Sequence, residues 1–272
     1  MRLLVFCQIT IGKGCNLCYD RKKEVSAVKY TPYCRIQPGA KKAALFVHGI
    51  VGTPMHFRDL VPLIPQDWSV YNILLDGHGK QVEDFARTSM VKWQTQVATQ
   101  LDEILSQHDQ VLIVAHSMGT LFAIDEAIKR PDKVMGLFLL NVPLTPMLPP
   151  KTALNSLKTA LGLTKPGTPA RDMLDGCGVH LSPMLWKYLA WIPRFWELIV
   201  KARSTRRKLS EISVPCLAFQ SQKDELVSKK SYALLNAHPG IDVTMLPNSG
   251  HFAYKGNDLS VLQVQLQNMI TK

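Results

Sequence analysis

The sequence predicts an α/β fold: one mainly parallel central sheet, helices on both faces, and a helical insertion. Three observations carry this. From residue 43 onward short apolar runs alternate with helical patterns, as repeated βαβ crossovers require. Between residues 145 and 209 the alternation stops, and a Pro-rich then helical stretch takes over. From residue 216 the alternation resumes, which assigns both stretches to a single sheet. A chain of 272 residues can bury a large core without disulfides or metal, and that length suits one α/β domain.

The elements follow in order. Residues 43–47 are an apolar run ending in His48-Gly49, the first core strand. Residues 54–64 read as a helix, with Met55, Phe57, Leu60, Val61, Leu63 and Ile64 apolar. Residues 68–75 form a second strand, closed by Asp76-Gly77-His78-Gly79. Residues 90–106 read as a long helix, with Val91, Trp93, Val97, Leu101, Ile104 and Leu105 at helical spacing. A third strand spans 110–115, and a helix over 118–129 is stopped by Pro131. Residues 134–140 are a fourth strand. Past the insertion come strand 216–220, helix 229–237, strand 242–246 and helix 259–270. The expected division is an N-terminal segment 1–42, a core of 43–144 and 210–272, and a helical insertion of 145–209.

Charge and cysteine content narrow the function classes. The net charge is +11, but residues 1–42 carry +7 and residues 151–209 carry +8, whereas 43–150 carry −4. A basic balance can serve nucleic acid or anionic membrane. The chain has no helix-turn-helix, zinc-finger or RNP pattern, so nucleic acid is not expected as a partner. No apolar run approaches the ~18 residues of a membrane span. The N-terminal stretch Met1–Cys7 is a weak secretory signal, lacking a small-residue cleavage site. The six cysteines include one lone C-x-x-C, Cys15 and Cys18, with no second pair at zinc-ribbon distance. They read as ordinary reduced thiols in a cytoplasmic protein.

The chemistry is carried by Ala115-His116-Ser117-Met118-Gly119, where a strand passes straight into a helix. The turn must be tight, and small residues at 115 and 119 keep side chains out of it. Ser117 is thereby pushed up at a helix N-terminus, where the dipole favours a developing anion. Alone, the five residues have a second, less favoured reading as a buried serine at a strand–helix junction. A serine needs a base. His251 stands in the loop after a late strand, in Asn248-Ser249-Gly250-His251. The acid that orients the base is expected after the preceding strand, at Asp224; Glu225 reads as a solvated neighbour. Asn141 and Val142 occupy another possible acid position and can supply no carboxylate. The oxyanion donors are expected to be the backbone N–H groups of Met118 and Ile50, the latter in the glycine-containing loop after the first core strand. No metal or cofactor is expected.

On these residues the chain resembles the α/β-hydrolase fold family, in particular its monoacylglycerol lipase and carboxylesterase branch, also called serine aminopeptidase-like. The matching pieces are His48-Gly49-Ile50-Val51-Gly52-Thr53-Pro54, Asp76-Gly77-His78-Gly79, the segment around Ser117, Asp224, and Gly250-His251. Ala115 replaces a usual glycine, and Thr120 stands where a further glycine is common. The resemblance implies a cap over the site, no metal, and acyl-ester substrates that are lipid-like or of short to medium chain length. Thioesterase and aminopeptidase chemistry use the same three residues, and a non-catalytic ligand-binding protein is the reading from a different class. The insertion holds Trp186, Trp191 and Phe195 and a basic tail, Lys201 to Lys208, with two readings: the aromatics pack the insertion onto the core beside a solvated basic face, or they bind substrate in an apolar acyl pocket whose basic, aromatic rim touches anionic membrane.

Overall fold

A computed structural model of the chain describes residues 30–271. The readings made on the first 29 residues, the weak signal and the Cys15–Cys18 pair, lie outside them. Among the described residues seven strands form one sheet: β1 (Tyr33–Arg35), β2 (Lys42–Val47), β3 (Ser69–Asn72), β4 (Gln110–His116), β5 (Val134–Leu140), β6 (Cys216–Ser221) and β7 (Ile241–Leu246). Their order is β1-β3-β2-β4-β5-β6-β7. Only β1 runs antiparallel, against β3; all other neighbours are parallel. The helices are α1 (Val82–Ala86), α2 (Met90–Leu105), α3 (Met118–Lys129), α4 (Pro150–Ala160), α5 (Pro169–Gly176), α6 (Ile192–Arg206), α7 (Lys230–Asn236) and α8 (Asn257–Thr271).

The two faces of the sheet follow from the period of two along each strand. Leu45, Val47, Ile113, Ala115, Leu137 and Leu139 point to one face, where they meet Val97 and Leu101 of α2, Leu121 of α3 and Leu198 and Ala202 of α6. Ala44, Phe46, Leu112, Val114, Phe138 and Leu140 point to the other, against Leu262, Leu266 and Met269 of α8. Both faces are covered, so the central strands are apolar without alternation. The order runs outward in opposite directions from β2 and β4. In such sheets the crevice at that switch point, beyond the carboxyl ends of the strands, holds the ligand site.

Three features differ from the sequence reading. Residues 54–64 are not an α-helix but two 3-10 turns, Pro54–Phe57 and Val61–Leu63. Pro62 has no N–H for an i→i−4 bond, and Pro54 opens the first turn. The short elements β1 and α1 were not anticipated. In the stretch 145–209, α4 and α5 pack on each other. Its last helix, α6, packs instead against α2 and α3, in the helical layer of the core.

Candidate active site

Ser117 joins β4 to α3 with φ 51° and ψ −126°, a backbone conformation that costs a non-glycine residue strain. Neighbouring structure holds it there. Its N–H donates to the Leu140 carbonyl of β5 at 2.8 Å. Its carbonyl accepts from the Thr120 N–H at 2.9 Å and the Thr120 hydroxyl at 2.6 Å. A Cβ on Gly119 would run into the Val47 carbonyl oxygen, so the first turn of α3 crosses directly over the end of β2. On the other side, a Cβ on Gly49 would lie 2.6 Å from the Ser117 Cβ. Glycine at these two positions is what lets two backbones close on the serine.

His251 bridges the pair proposed for it in the sequence. Its Nε2 lies 3.0 Å from Ser117 Oγ and its Nδ1 2.8 Å from Asp224 Oδ2. With Nδ1–H donated to the carboxylate, Nε2 is left to accept from the serine hydroxyl. Asp224 Oδ1 accepts the N–H groups of Leu226 and Val227, each at 2.7 Å, which fixes the carboxylate. Ser117 and His251 are almost fully buried. Met118 is the first residue of α3, so its N–H has no intrahelical acceptor. Ile50 follows Gly49 in the loop that touches Ser117; Val51 takes φ 48°, and Gly52 N–H closes the turn on the Gly49 carbonyl at 3.0 Å.

The main chain of His251 is gripped as well, by residues the sequence did not single out for this purpose. Its N–H donates to Glu225 Oε2 at 2.9 Å. Its carbonyl accepts from His116 Nε2 at 3.0 Å and from Asn141 Nδ2 at 3.3 Å. Asn141, at φ 53°, also accepts the Ser221 N–H at 2.8 Å and so ties the ends of β5 and β6 together. Glu225 is therefore not the solvated neighbour its position suggested. One step earlier in the loop, Asp258 of α8 accepts from the Asn248 N–H at 2.7 Å and the Ser249 hydroxyl at 2.6 Å.

A group of buried histidines surrounds these residues. His116 stacks on His56 at 3.7 Å between ring centres, and His48 meets His78 edge-on at 4.7 Å. Burial, then the neighbouring His56, holds His116 well below the usual imidazole range. Burial, then His78, does the same for His48. Burial lowers His56 to about 3, helped by nearby His251, His48 and Arg58, and lowers His78 to about 4. A neutral His116 can carry its proton on Nε2, as the bond to the His251 carbonyl requires. His48 accepts the Leu75 N–H on Nε2 at 3.0 Å and donates Nδ1–H to the Gly49 carbonyl at 2.9 Å, which fixes the loop beside Ser117.

Two cavities flank the His251 loop. One, of about 630 Å³, is lined in part by Thr53, His56, Leu174, His180, Phe252 and Tyr254. The other, of about 360 Å³, reaches Asp224 and Glu225 beside Met147, Thr152 and Lys223. Trp186, Trp191 and Phe195 do not line either of these two cavities. Trp191 is buried, donates its Nε1–H to the Val82 carbonyl at 2.9 Å and packs on Phe85 at 4.5 Å. Trp186 and Phe195 are exposed. Helical spacing marked these residues as apolar but could not say which face turned inward. The insertion reaches the site elsewhere. The Gly178 N–H donates to the Val51 carbonyl, Gly79 N–H to the Gly178 carbonyl at 2.7 Å, and His180 N–H to the Lys80 carbonyl at 2.9 Å.

Comparison with known proteins agrees with this architecture. The chain is 28% identical to the thermostable monoacylglycerol lipase of Bacillus sp. (strain H-257) over 188 residues, 67% of this chain and 70% of the relative. Among solved structures, a chain from work on LipS and LipT, two metagenome-derived lipolytic enzymes, superposes with TM-score 0.66 at 20% identity, covering 88% of this chain and 100% of that one. The Paleococcus ferrophilus monoacylglycerol lipase superposes with TM-score 0.62 at 16% identity, covering 89% and 98%; at such identities the likeness concerns the fold. The alpha/beta hydrolase family matches residues 44–258, from the first core strand through the His251 loop to the start of α8, and this protein belongs to that family.

Proposed function

We propose that the protein hydrolyses carboxylic esters through an acyl-enzyme on Ser117. His251 Nε2 takes the proton as Ser117 Oγ attacks the ester carbonyl, and then gives it to the departing alcohol. Asp224 holds the imidazole and offsets the charge it gains. The N–H groups of Met118 and Ile50 meet the oxyanion. Water, activated by the same histidine, releases the acid and restores the serine. The observation that carries the reading is the hydrogen-bonded series from Ser117 Oγ through His251 to Asp224 in a buried, strained turn.

The substrates are lipid-like or short-to-medium acyl esters, such as monoacylglycerols. Support comes from the lipase similar to this chain, and from the cavity of about 630 Å³ whose walls include Phe252 and Tyr254 beside His251. A fluorophosphonate probe should label Ser117 in the wild type and leave Ser117→Ala unlabelled. Ester turnover in that variant should fall by ~10⁴ or more with an unchanged circular dichroism spectrum. A p-nitrophenyl ester series then reads the chain-length preference, each buried methylene contributing about 0.8 kcal/mol. A folded Ser117→Ala protein at wild-type rate would sink the assignment.

A further inference from the structure

We infer that the outer face of α6, together with the 3-10 segment Leu185–Trp191 that leads into it, docks on an anionic lipid bilayer. Helix α6 has two unlike faces. Leu198, Ala202 and Thr205 are buried against the core. The rest of its surface, from the flank of that face round to the opposite side, carries Ile192, Phe195, Trp196, Val200, Arg203, Arg206 and Arg207, all exposed. The preceding segment continues the stripe. In a 3-10 helix residues three apart eclipse, which aligns Trp186, Leu189 and Ile192. These are large side chains left in water: Trp186 is 67% exposed, Leu189 65% and Trp196 60%.

Charge separates this face from an incidental apolar patch. The basic residues between Leu185 and Lys208 divide into two sets. Lys201 pairs with Asp125, Lys208 reaches the same carboxylate at 3.4 Å, Lys187 pairs with Glu83 at 2.6 Å and Arg194 with Glu197 at 2.6 Å. The inward-facing cations are thus neutralised within the fold. Among the described residues, Arg203, Arg206 and Arg207 form no ion pair, and all three share the outer face with the apolar stripe. The order along the stripe is tryptophan and aliphatic side chains first, then arginines. A bilayer surface offers the matching chemistry: an apolar boundary for Leu189, Ile192 and Val200, a headgroup layer for the indoles, and lipid phosphates for the guanidinium groups. Because the inner face of α6 is already packed, the helix need not fold on binding.

Vesicle co-sedimentation of the full chain tests this, with liposomes of phosphatidylcholine alone or with about one-third phosphatidylglycerol. The wild type should bind the anionic vesicles, more weakly as salt rises from about 0.1 to 0.5 M, and bind phosphatidylcholine far less. Arg203→Gln/Arg206→Gln/Arg207→Gln should lower the partition coefficient ~100-fold while turnover of a short soluble ester stays unchanged. Leu189→Ser/Trp196→Ser should weaken binding too, and wild-type tryptophan emission should shift to the blue on vesicles. Equal binding by the triple variant would place the contact elsewhere in the chain. Absent vesicle binding, with self-association that Leu189→Ser/Trp196→Ser abolishes, would make the face an interface between two copies instead. Neither result bears on Ser117, whose labelling is read separately.

Discussion

At the scale of the residue, the position of the His251 imidazole depends on its own main chain as much as on Asp224. The carboxylate of Glu225 takes the His251 N–H, while His116 and Asn141 take its carbonyl. Removing one hold lets the ring drift from Ser117 Oγ, and a misplacement near 1 Å can cost ~10²-fold in rate. Glu225→Ala should therefore lower kcat by roughly 10- to 100-fold with KM little changed. Glu225→Gln keeps an acceptor oxygen for the same N–H and should recover most of that loss. Steady-state kinetics of both variants on one soluble ester decide it: wild-type kcat in Glu225→Ala would reduce Glu225 to a bystander.

At the scale of the element, Trp191 fastens the insertion to α1. Its indole spans the Val82 carbonyl and the Phe85 ring, with Tyr188 packed edge-on at 4.9 Å. Trp191→Ala should destabilise the fold by about 3 kcal/mol or more, read as a drop in the urea midpoint. The ratio of octanoate to acetate kcat/KM should stay as in the wild type; a selective loss on octanoate would return the residue to the substrate site. Such roles mark where the sequence stops being legible. The bounds of α3 and β5 could be read to the residue, because Pro131 ends one and an unbroken apolar run defines the other. The turn at Ser117 was legible because glycine and alanine leave little else possible there. Strand β1 and helix α1 were too short to show a period, and the two prolines of 54–64 outweighed its apolar spacing. The contacts of Glu225, His116 and Asn141 with His251 were illegible for another reason. Their partners are backbone groups distant in sequence, and no local pattern encodes such a bond.

At the scale of the whole molecule, the buried histidines tie stability to pH. In the unfolded chain each takes up a proton near pH 6.5. In the folded chain His56 does so only at about 3 and His78 at about 4, and His48 and His116 are also held low. Between those limits the unfolded state binds more protons, so stability is full above pH 6.5 and falls as the solution is acidified toward pH 3–4. Each histidine that stays neutral contributes a slope of about 1.4 kcal/mol per pH unit. Urea midpoints at pH 7.5, 6 and 5 should decline in step, and His56→Gln should flatten the decline. A midpoint constant across that range would mean these histidines titrate freely in the native state.

The tie between Asp258 and the loop at Asn248 and Ser249 has a consequence for biosynthesis. As the chain leaves the ribosome, β2, β4 and β5 emerge well before α8, and they can already bend Ser117 into its turn. Asp224 and His251 follow, but the carboxylate that secures the approach to His251 belongs to the first turn of α8. On the proposed mechanism, His251 is firmly held beside Ser117 only when α8 has closed against the sheet.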